Sequence, residues 1–317
     1  MAVAATGFFD GVHLGHRAVL QTLLETAHKR GEQSLVLTFW PHPRTVLRGG
    51  SRDLRLLTSL DEKRELLAEL GVDRVEVLPF TRDFAALTAA QYLDMLRRDY
   101  GVTSIVLGYD NRFGSDQLST NEIAKLADAA GLEALVVSPH AVSGTDPFVA
   151  IASRDDSDVV IPSKAKESFI SSTKIRKALA AGKVEAANAM LGYEYFLNGV
   201  VVSGNMMGRT IGFPTANMKL REPLKCLPGV GAYLSRVEVE GRQLWGMTNI
   251  DHHEKIETNI FDFDEEIYGL DIKVTFERKI RDEIHFRSFD ELRGQLEKDR
   301  EACRCHFDQA QRVEKSH

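Results

Sequence analysis

The chain changes its pattern of apolar residues part-way along, and this change limits its possible folds more than any other feature. Up to about residue 140, short apolar runs alternate with amphipathic helical stretches, whereas from Gly199 onward strand-like segments follow one another closely. The first pattern is typical of a parallel sheet wound with helices, and the second of a small antiparallel barrel or sandwich. At 317 residues the chain is long enough for two such domains.

The first region is predicted to be an α/β domain with a doubly wound parallel sheet. Its expected strands span residues 3–5, 35–39, 74–78, 104–107 and 135–137, and its expected helices span 18–30, 61–70, 89–100 and 120–130. Ser119 and Glu122 have the spacing of a capping box before the last of these helices.

The second region is predicted to be a mainly antiparallel β barrel with a terminal α-helix. Its expected strands span 199–203, 233–240, 243–250, 255–263 and 270–277, and the last helix is expected from Ser288, capped by Glu291, to about His306. A helical stretch at 173–191 joins the regions, so we assign domains to 1–185 and 186–317.

Composition excludes several classes of protein. The formal charge of −6 gives no general basic field, which argues against nucleic acid as a partner. No apolar stretch of 18 residues and no secretion signal occur, so we expect no membrane partner and a cytoplasmic location. Cys226, Cys303 and Cys305 offer no disulfide framework, and a metal site at the last two is not favoured because they do not face each other on a helix.

Residues 7–16, Gly-Phe-Phe-Asp-Gly-Val-His-Leu-Gly-His, directly precede an amphipathic stretch. This order places His13 and His16 at a helix N-terminus, where free N–H groups and the helix dipole favour anions. Imidazoles add donors for phosphate oxygens or become cationic near neutral pH. The segment therefore predicts a nucleotide-phosphate site, although each histidine alone could be a cap or a surface residue.

Three other segments carry candidate residues of the first region. His42 lies between two prolines and Asp110 follows a strand, so both, like His13, are expected at the carboxyl edge of the sheet. In residues 170–176, Ser172 and Thr173 can cap a helix, and Arg176 lies one turn further on. Taken singly, these segments could equally be a structural turn, a polar loop and a cap.

Thr215 and Asn217 form the main candidate pair in the second region. In an extended chain they lie on one side, and their oxygens suit Mg²⁺ held together with ATP phosphates. Glu257 and Asn259 likewise share one face of a predicted strand. The alternatives are a polar-faced strand for the first pair and a solvated edge charge for Glu257.

The first region resembles the nucleotidylyltransferase superfamily, whose His-x-Gly-His motif matches residues 13–16. The Gly-x-Phe-Asp-Gly-Val-His form at residues 7–13 resembles the branch of this superfamily that makes FAD. Phe-Trp-Pro-His-Pro at 39–43, Gly-Tyr-Asp-Asn-Arg-Phe-Gly at 108–114 and Ile-Ser-Ser-Thr-Lys-Ile-Arg at 170–176 are also similar to segments of FAD synthetases. Asn111 replaces the usual aromatic residue. The resemblance implies that His13 and His16 stabilise charge on the α-phosphate of ATP. It also implies contacts of ATP with Gly7, Phe9, Asp10, Gly15, His42, Asp110, Ser172, Thr173 and Arg176.

The second region resembles riboflavin kinases through Gly-Arg-Thr-Ile-Gly-Phe-Pro-Thr-Ala-Asn at 208–217 and Ile-Glu-Thr-Asn at 256–259. The resemblance implies a catalytic Glu257 and Mg²⁺ at Thr215 and Asn217. It also implies nucleotide or flavin contacts at Gly208, Gly212, Pro214, Thr215, Asn217 and Arg281. Two departures stand out: the segment after Ile250 is shortened, and Ser203 replaces a frequent histidine.

Together the motifs are similar to those of bifunctional bacterial riboflavin kinase/FMN adenylyltransferases. The resemblance implies that riboflavin and ATP give FMN in the second domain, and that FMN and ATP give FAD and pyrophosphate in the first. ATP, riboflavin and FMN are then the small-molecule partners. Two alternatives stay open: an FMN adenylyltransferase whose degenerate kinase domain only binds flavin, and a flavin-binding sensor or carrier without turnover.

Overall fold

The computed structural model describes residues 1–47, 54–109, 112–137, 170–204 and 207–314, without the side chains of 207, 209 and 305–314. The chain forms two compact units, Met1–Ser172 and Thr173–His317. Asp110 lies outside the described residues.

The first unit is a parallel α/β domain, as predicted. Its strands β1 to β5 are Ala2–Thr6, Gln33–Trp40, Arg74–Pro79, Val102–Gly108 and Glu133–Val137, in the spatial order β3-β2-β1-β4-β5. Its helices α1 to α6 are Leu14–Arg30, Pro43–Leu47, Leu60–Glu69, Arg82–Ala85, Ala89–Tyr100 and Thr120–Ala129. All predicted strands and helices of this region are present with shifted ends, and the short α2 and α4 are additional.

Alternating apolar residues explain the sheet. One face, which includes Ala4, Leu37 and Ile105, packs against Leu93 of α5 and Ile123 of α6. Successive strand side chains point to opposite faces, so Val3 and Val106, which are also fully buried, point the other way. The strand order reverses between β1 and β4, and in open parallel sheets ligands bind beyond the carboxyl ends at this point.

The second unit is a closed antiparallel barrel with a terminal helix, as predicted. Its strands β6 to β11 are Phe196–Val202, Ala216–Leu220, Gly231–Val239, Arg242–Ile250, Ile256–Ile260 and Asp271–Arg281, and they close in the order β10-β7-β6-β11-β8-β9. Its helices α7 to α10 are Ser172–Ala180, Val184–Leu191, Met207–Thr210 and Phe289–Glu314, the first of which begins at the last residue of the first unit. Strand β7 is not among the predicted strands, because Ala-Asn-Met-Lys-Leu has no β-branched or aromatic residue.

Two local predictions for this unit need correction. The stretch 173–191 is two helices, because the backbone turns at Gly182 with a φ of 71°. At the start of α10, the Ser288 hydroxyl accepts from the N–H of Glu291 (3.2 Å), but the Glu291 carboxylate accepts from the N–H of Arg287 (2.9 Å). The predicted capping box is therefore only half formed, and the helix runs past His306 to Glu314.

The barrel core combines apolar residues with a row of buried hydroxyls. Thr248 lies between Ser235 (2.7 Å between hydroxyl oxygens) and Thr258 (2.9 Å). On the outside, Cys303 of α10 is buried in a cluster with Phe213 and Met247. No described helix is both long enough and apolar enough to cross a membrane.

Candidate functional site

His13 and His16 form a stacked pair at the start of α1. His13 is the N-cap residue, and its Nδ1 and carbonyl oxygen both accept from the N–H of His16, at 3.3 and 2.7 Å. The two rings lie nearly parallel with centroids 3.6 Å apart. A Cβ at Gly15 would lie only 3.3 Å from the His13 ring, so glycine leaves room for this stack. The predicted pairing of the imidazoles at a helix N-terminus is confirmed.

The surroundings of His16 favour its neutral form. Burial, together with the nearby His13 and Lys63, holds the pKa of His16 well below its usual range. Its Nδ1 is buried and makes no hydrogen bond within the described part of the chain. Two roles were considered for the histidines. His16 is better suited to donate a hydrogen bond to phosphate as a neutral imidazole than to act as a permanent cation.

The loop before α1 has an unusual backbone. Phe9 and Val12 have φ values of 49° and 37°, a region that residues with side chains rarely adopt, and Gly11 has a φ of 84°. The Phe9 ring packs edge-on against His16 with centroids 5.3 Å apart, and a Cβ at Gly7 would lie 3.3 Å from the Phe9 ring. Backbone strain of this kind concentrates at functional sites, where the surrounding structure maintains it.

Lys63 on α3 is a site residue that the analysis of the sequence missed. It is fully buried, with Nζ 3.7 Å from the centroid of the Phe8 ring and 3.3 Å from the Thr38 hydroxyl. Burial lowers its pKa to about 8, opposed by the charge of Asp10. One signal was available: Lys63 lies three and four residues before the buried Leu66 and Leu67, where the helical pattern calls for an apolar residue.

The carboxylate of Asp10 is buried and points toward other residues of the protein rather than toward solvent. Asp10 is 4 % exposed, and its carboxylate accepts from the N–H groups of Leu57 (2.9 Å) and Thr58 (3.2 Å), just before α3. The Ser172 hydroxyl donates to the carbonyl oxygen of Asp10 at 3.0 Å. These contacts fix the loop, and contact of Asp10 with ATP stays a prediction.

The remaining candidates of the first site are placed as follows. His42 follows β2 and packs edge-on against Phe8 with centroids 4.2 Å apart. The first unit therefore stacks His13 on His16, brings Ser172 to Asp10, and brings His42 and Lys63 to the same phenylalanine. Thr173 is exposed and Arg176 half-buried on α7, in the second unit, so their phosphate contacts stay predictions.

In the second unit, strand register aligns the candidate residues. Asn217 of β7 pairs with Glu257 of β10, which pairs with Asn249 of β9. Asn249 pairs with Ala232 of β8, which pairs with Arg281 of β11. Directly paired residues in antiparallel strands point to the same face. Asn217, Glu257 and Asn249 therefore lie side by side at one rim of the barrel, and Arg281 lies at the same level.

A tight turn brings Thr215 to this rim. The N–H of Phe213 donates to the carbonyl oxygen of Gly208 (2.8 Å), and Gly212 has a φ of 80°. A Cβ at Gly208 would lie 2.2 Å from the carbonyl oxygen of Phe213 and 3.4 Å from the Thr215 hydroxyl. Only glycine fits at 208, and the turn that it permits leads directly into Thr215 and β7.

Asn217 and Glu257 have different surroundings. Asn217 is 8 % exposed, and its Oδ1 makes no hydrogen bond among the described residues. The amide of Asn259 donates to the carbonyl oxygen of Pro214 (2.7 Å), which ties β10 to the turn. Glu257 is partly exposed and pairs with Lys255 (Oε1 to Nζ, 2.6 Å), a second residue that the analysis of the sequence did not select.

Arg281 has a structural partner. Its Nε lies 2.8 Å from Oδ2 of Asp299, which is 3 % exposed on α10. Arg281 thus forms a partly buried ion pair, and its contact with ATP or flavin stays a prediction. The donor set at the rim fits Mg²⁺, since an unpartnered amide oxygen, a hydroxyl and a carboxylate are hard oxygen ligands.

Family models match both units of the chain. The model for FAD synthetase matches residues 1–146, and the model for riboflavin kinase matches residues 191–307. A bifunctional riboflavin kinase/FMN adenylyltransferase of Listeria monocytogenes is 36 % identical over 314 residues, which is 96 % of this chain and 92 % of that protein. The chain belongs to the bifunctional riboflavin kinase/FMN adenylyltransferase family.

Other family members of the same name have similar sequence identity to this chain and similar coverage. The protein of Bacillus subtilis is 34 % identical over 95 % of this chain and 90 % of its own length, and that of Escherichia coli K12 is 36 % identical over 94 % and 90 %. A crystal structure described as a macrolide-efflux protein from Streptococcus pneumoniae has a TM-score of 0.81 at 30 % identity, covering 96 % of this chain and 93 % of its own. The fold of the family member described here thus extends over nearly the full length of a solved structure.

Proposed function

We propose that this chain makes FMN and FAD in two steps at two separate sites. The second unit phosphorylates riboflavin with ATP, and the first unit joins FMN to the AMP part of a second ATP, releasing pyrophosphate. The observation that carries the proposal is that each unit has a buried polar atom without a hydrogen-bond partner among the described residues, His16 Nδ1 and Asn217 Oδ1, inside the matching family motif. We assign residues 1–185 to the adenylyltransferase and 186–317 to the kinase.

In the adenylyl transfer, the chain positions anions and no side chain acts as nucleophile. A phosphate oxygen of FMN forms a bond to the α-phosphorus of ATP, and the bond to the β-phosphate oxygen breaks. His13, His16 and the N-terminus of α1 stabilise the charge that develops on the α-phosphate. Lys63 acts through His16: burial is the largest cause of the lowered pKa of that imidazole, and the nearby His13 and the charge of Lys63 add to it.

In the kinase step, Glu257 accepts the proton of the terminal ribityl hydroxyl of riboflavin while that oxygen forms a bond to the γ-phosphorus of ATP. The bond from this phosphorus to the β-phosphate oxygen breaks, and ADP leaves. Thr215 and Asn217 would hold Mg²⁺ together with the phosphates. When bound, Mg²⁺ neutralises phosphate charge. The ion pair between Lys255 and Glu257 orients the carboxylate in the free chain. The predicted cytoplasmic location remains part of this proposal.

The proposal is tested by product analysis on the purified full chain. With riboflavin and Mg-ATP we expect FMN and then FAD, with FMN and Mg-ATP we expect FAD and pyrophosphate, and without ATP neither product. Removal of Mg²⁺ with a chelator should abolish the kinase step, and its return should restore it. FAD from FMN without any FMN from riboflavin would leave only the adenylyltransferase alternative. ATP unchanged with both flavins would leave the carrier alternative.

A further inference from the structure

A cluster of possible metal ligands lies at the rim of the barrel and takes no part in the reactions proposed above. It consists of His252, Glu283 and His285, each of which offers one ligand atom within 4.8 Å of the others. His252 Nδ1 lies 2.8 Å from Oε2 of Glu283, and the rings of His252 and His285 have centroids 5.8 Å apart. Two imidazole nitrogens and one carboxylate oxygen therefore converge from segments about 30 residues apart in sequence.

Strand register explains why these segments meet. Ile250, the last residue of β9, pairs with Gly231 of β8, and Arg281, the last residue of β11, pairs with Ala232 of β8. The chain therefore leaves β9 and β11 at the same rim, on the two sides of β8. The turn that follows β9 carries His252, and the segment that follows β11 carries Glu283 and His285.

The backbone on both sides of the cluster is well fixed. The Asp251 carboxylate accepts from the N–H groups of His253 (2.8 Å) and Lys255 (2.9 Å), and the N–H of Asp251 donates to the carbonyl oxygen of Lys255 (3.2 Å). On the other side, Arg281 is held to the buried Asp299. Binding a metal therefore requires rotation of the exposed side chains of His252 and His285 and of the half-buried side chain of Glu283.

We propose that His252, Glu283 and His285 bind one Zn²⁺ ion, which joins the turn at 251–255 to the segment at 282–286. Three protein ligands of nitrogen and oxygen with water in the fourth position are a common zinc arrangement. At tetrahedral zinc, with bonds of about 2.0–2.1 Å, ligand atoms lie about 3.3 Å apart, so these side chains need to close by about 1.5 Å at most. Mg²⁺ is disfavoured, because it prefers oxygen ligands over imidazole.

The test is a titration of the chelator-washed full chain with Zn²⁺ alone, in competition with a coloured zinc indicator and with Mg²⁺ in excess. We expect one tight site per chain that Mg²⁺ does not displace. His252→Ala and His285→Ala should each weaken that site at least about tenfold, since loss even of a residue that only supports a ligand costs 10–100-fold. His253→Ala is the matched control, because His253 is exposed and adjacent in sequence but outside the cluster. It should leave the affinity unchanged.

Co²⁺ provides an independent readout. Its visible absorption bands should appear with the wild-type chain and disappear with His252→Ala, without the intense near-ultraviolet band of a thiolate ligand. Glu283→Gln, which keeps the shape of the side chain, should weaken Zn²⁺ binding while circular dichroism shows an unchanged fold. No tight site in the wild-type chain, or equal affinity in the His252→Ala/His285→Ala double variant, would overturn the proposal. Because flavin products are not the readout, this result is independent of the proposed function.

Discussion

His16 and Asn217 each bury a polar atom that makes no hydrogen bond among the described residues, whereas buried Asp10 accepts from two backbone N–H groups. An unpaired buried polar atom costs about 1–3 kcal/mol, a cost that a ligand supplying the missing partner removes. His16 and Asn217 can therefore each form a further hydrogen bond with a ligand. The carboxylate of Asp10 instead holds the loop around it through its two backbone contacts.

Lys63→Met should stabilise the first unit while impairing adenylyl transfer. The pKa of Lys63 is lowered from 10.5 to about 8, so the unfolded chain binds this proton more tightly, and the free energy of unfolding rises as the pH increases between these values. Below pH 8 the buried ammonium group is charged and lowers the free energy of unfolding by its full amount. Its removal should raise the free energy of unfolding at pH 7 by about 1–3 kcal/mol.

Urea denaturation followed by Trp40 fluorescence, in a Trp245→Phe background, measures this change, because Trp40 is then the remaining tryptophan and lies in the first unit. Lys29→Met, at an exposed position of α1, should change the free energy of unfolding little. A loss of stability in Lys63→Met would show that the contacts of the ammonium with Phe8 and Thr38 outweigh its desolvation.

Lys63→Met should also raise the pKa of His16. The positive charge of Lys63 is one cause of the lowered pKa of His16, so its removal makes the imidazole easier to protonate. Titration of the histidine resonances by NMR should show this upward shift, and the acidic limb of the FAD-forming pH profile should move to higher pH. An unchanged titration would mean that burial and His13, rather than Lys63, control the pKa of His16.

His16 should make the first unit less stable in acid. Because its pKa is lowered on folding, the unfolded chain takes up a proton first, and the free energy of unfolding falls as the pH drops below about 6.5, by at most about 1.4 kcal/mol per pH unit. His16→Gln should remove this contribution. Between pH 7 and pH 5 the free energy of unfolding of the wild-type chain, again from Trp40 fluorescence, should fall more steeply than that of His16→Gln; equal slopes would contradict the prediction.

Among the elements, helix ends follow local sequence closely. At α6, the Glu122 carboxylate accepts from the N–H of Ser119 (2.8 Å) as the spacing predicted, since both residues belong to one turn. The break between α7 and α8 was missed, because a glycine within an apolar helical pattern is tolerated and does not by itself end a helix. A Cβ at Gly182 would lie 2.6 Å from Lys279 Nζ and 2.9 Å from the Tyr233 hydroxyl.

Gly182→Ala should therefore destabilise the second unit by about 2–3 kcal/mol, through its positive φ together with steric overlap. Gly241→Ala is the matched control, because Gly241 has a φ of 72° against 71° at Gly182, but a Cβ there meets no atom within 4 Å. The control should cost only about 1 kcal/mol. Urea denaturation followed by Trp245 fluorescence in a Trp40→Phe background measures both, and equal losses would exclude the steric contribution.

For the whole molecule, two units with separate sites imply that the two reactions can be lost independently. His16→Ala should reduce FAD formation by about 10²–10³-fold through loss of charge stabilisation, while FMN still forms from riboflavin. Glu257→Ala should reduce FMN formation by about 10²–10⁴-fold through loss of the general base, while added FMN is still converted to FAD. Chromatography of the flavins measures both rates. Parallel loss of both activities in either variant would contradict separate sites.

The sequence by itself determined the order of the two folds, the pairing of His13 with His16 and the common face of Glu257 and Asn259. These features depend on residues within a few positions of one another, where strand and helix periods fix the direction of side chains. The alignment of Glu257 with Asn217 does not follow from such periods, because register between strands joins residues far apart in the chain.

Only the tertiary structure decided which groups are buried and which distant residues meet. The buried Lys63, the neutral His16, the Arg281–Asp299 ion pair and the cluster of His252, Glu283 and His285 all arise in this way. Each depends on packing between separate elements, and pKa shifts follow from the desolvation that this packing imposes. Sequence patterns describe one element at a time, so they do not contain this information.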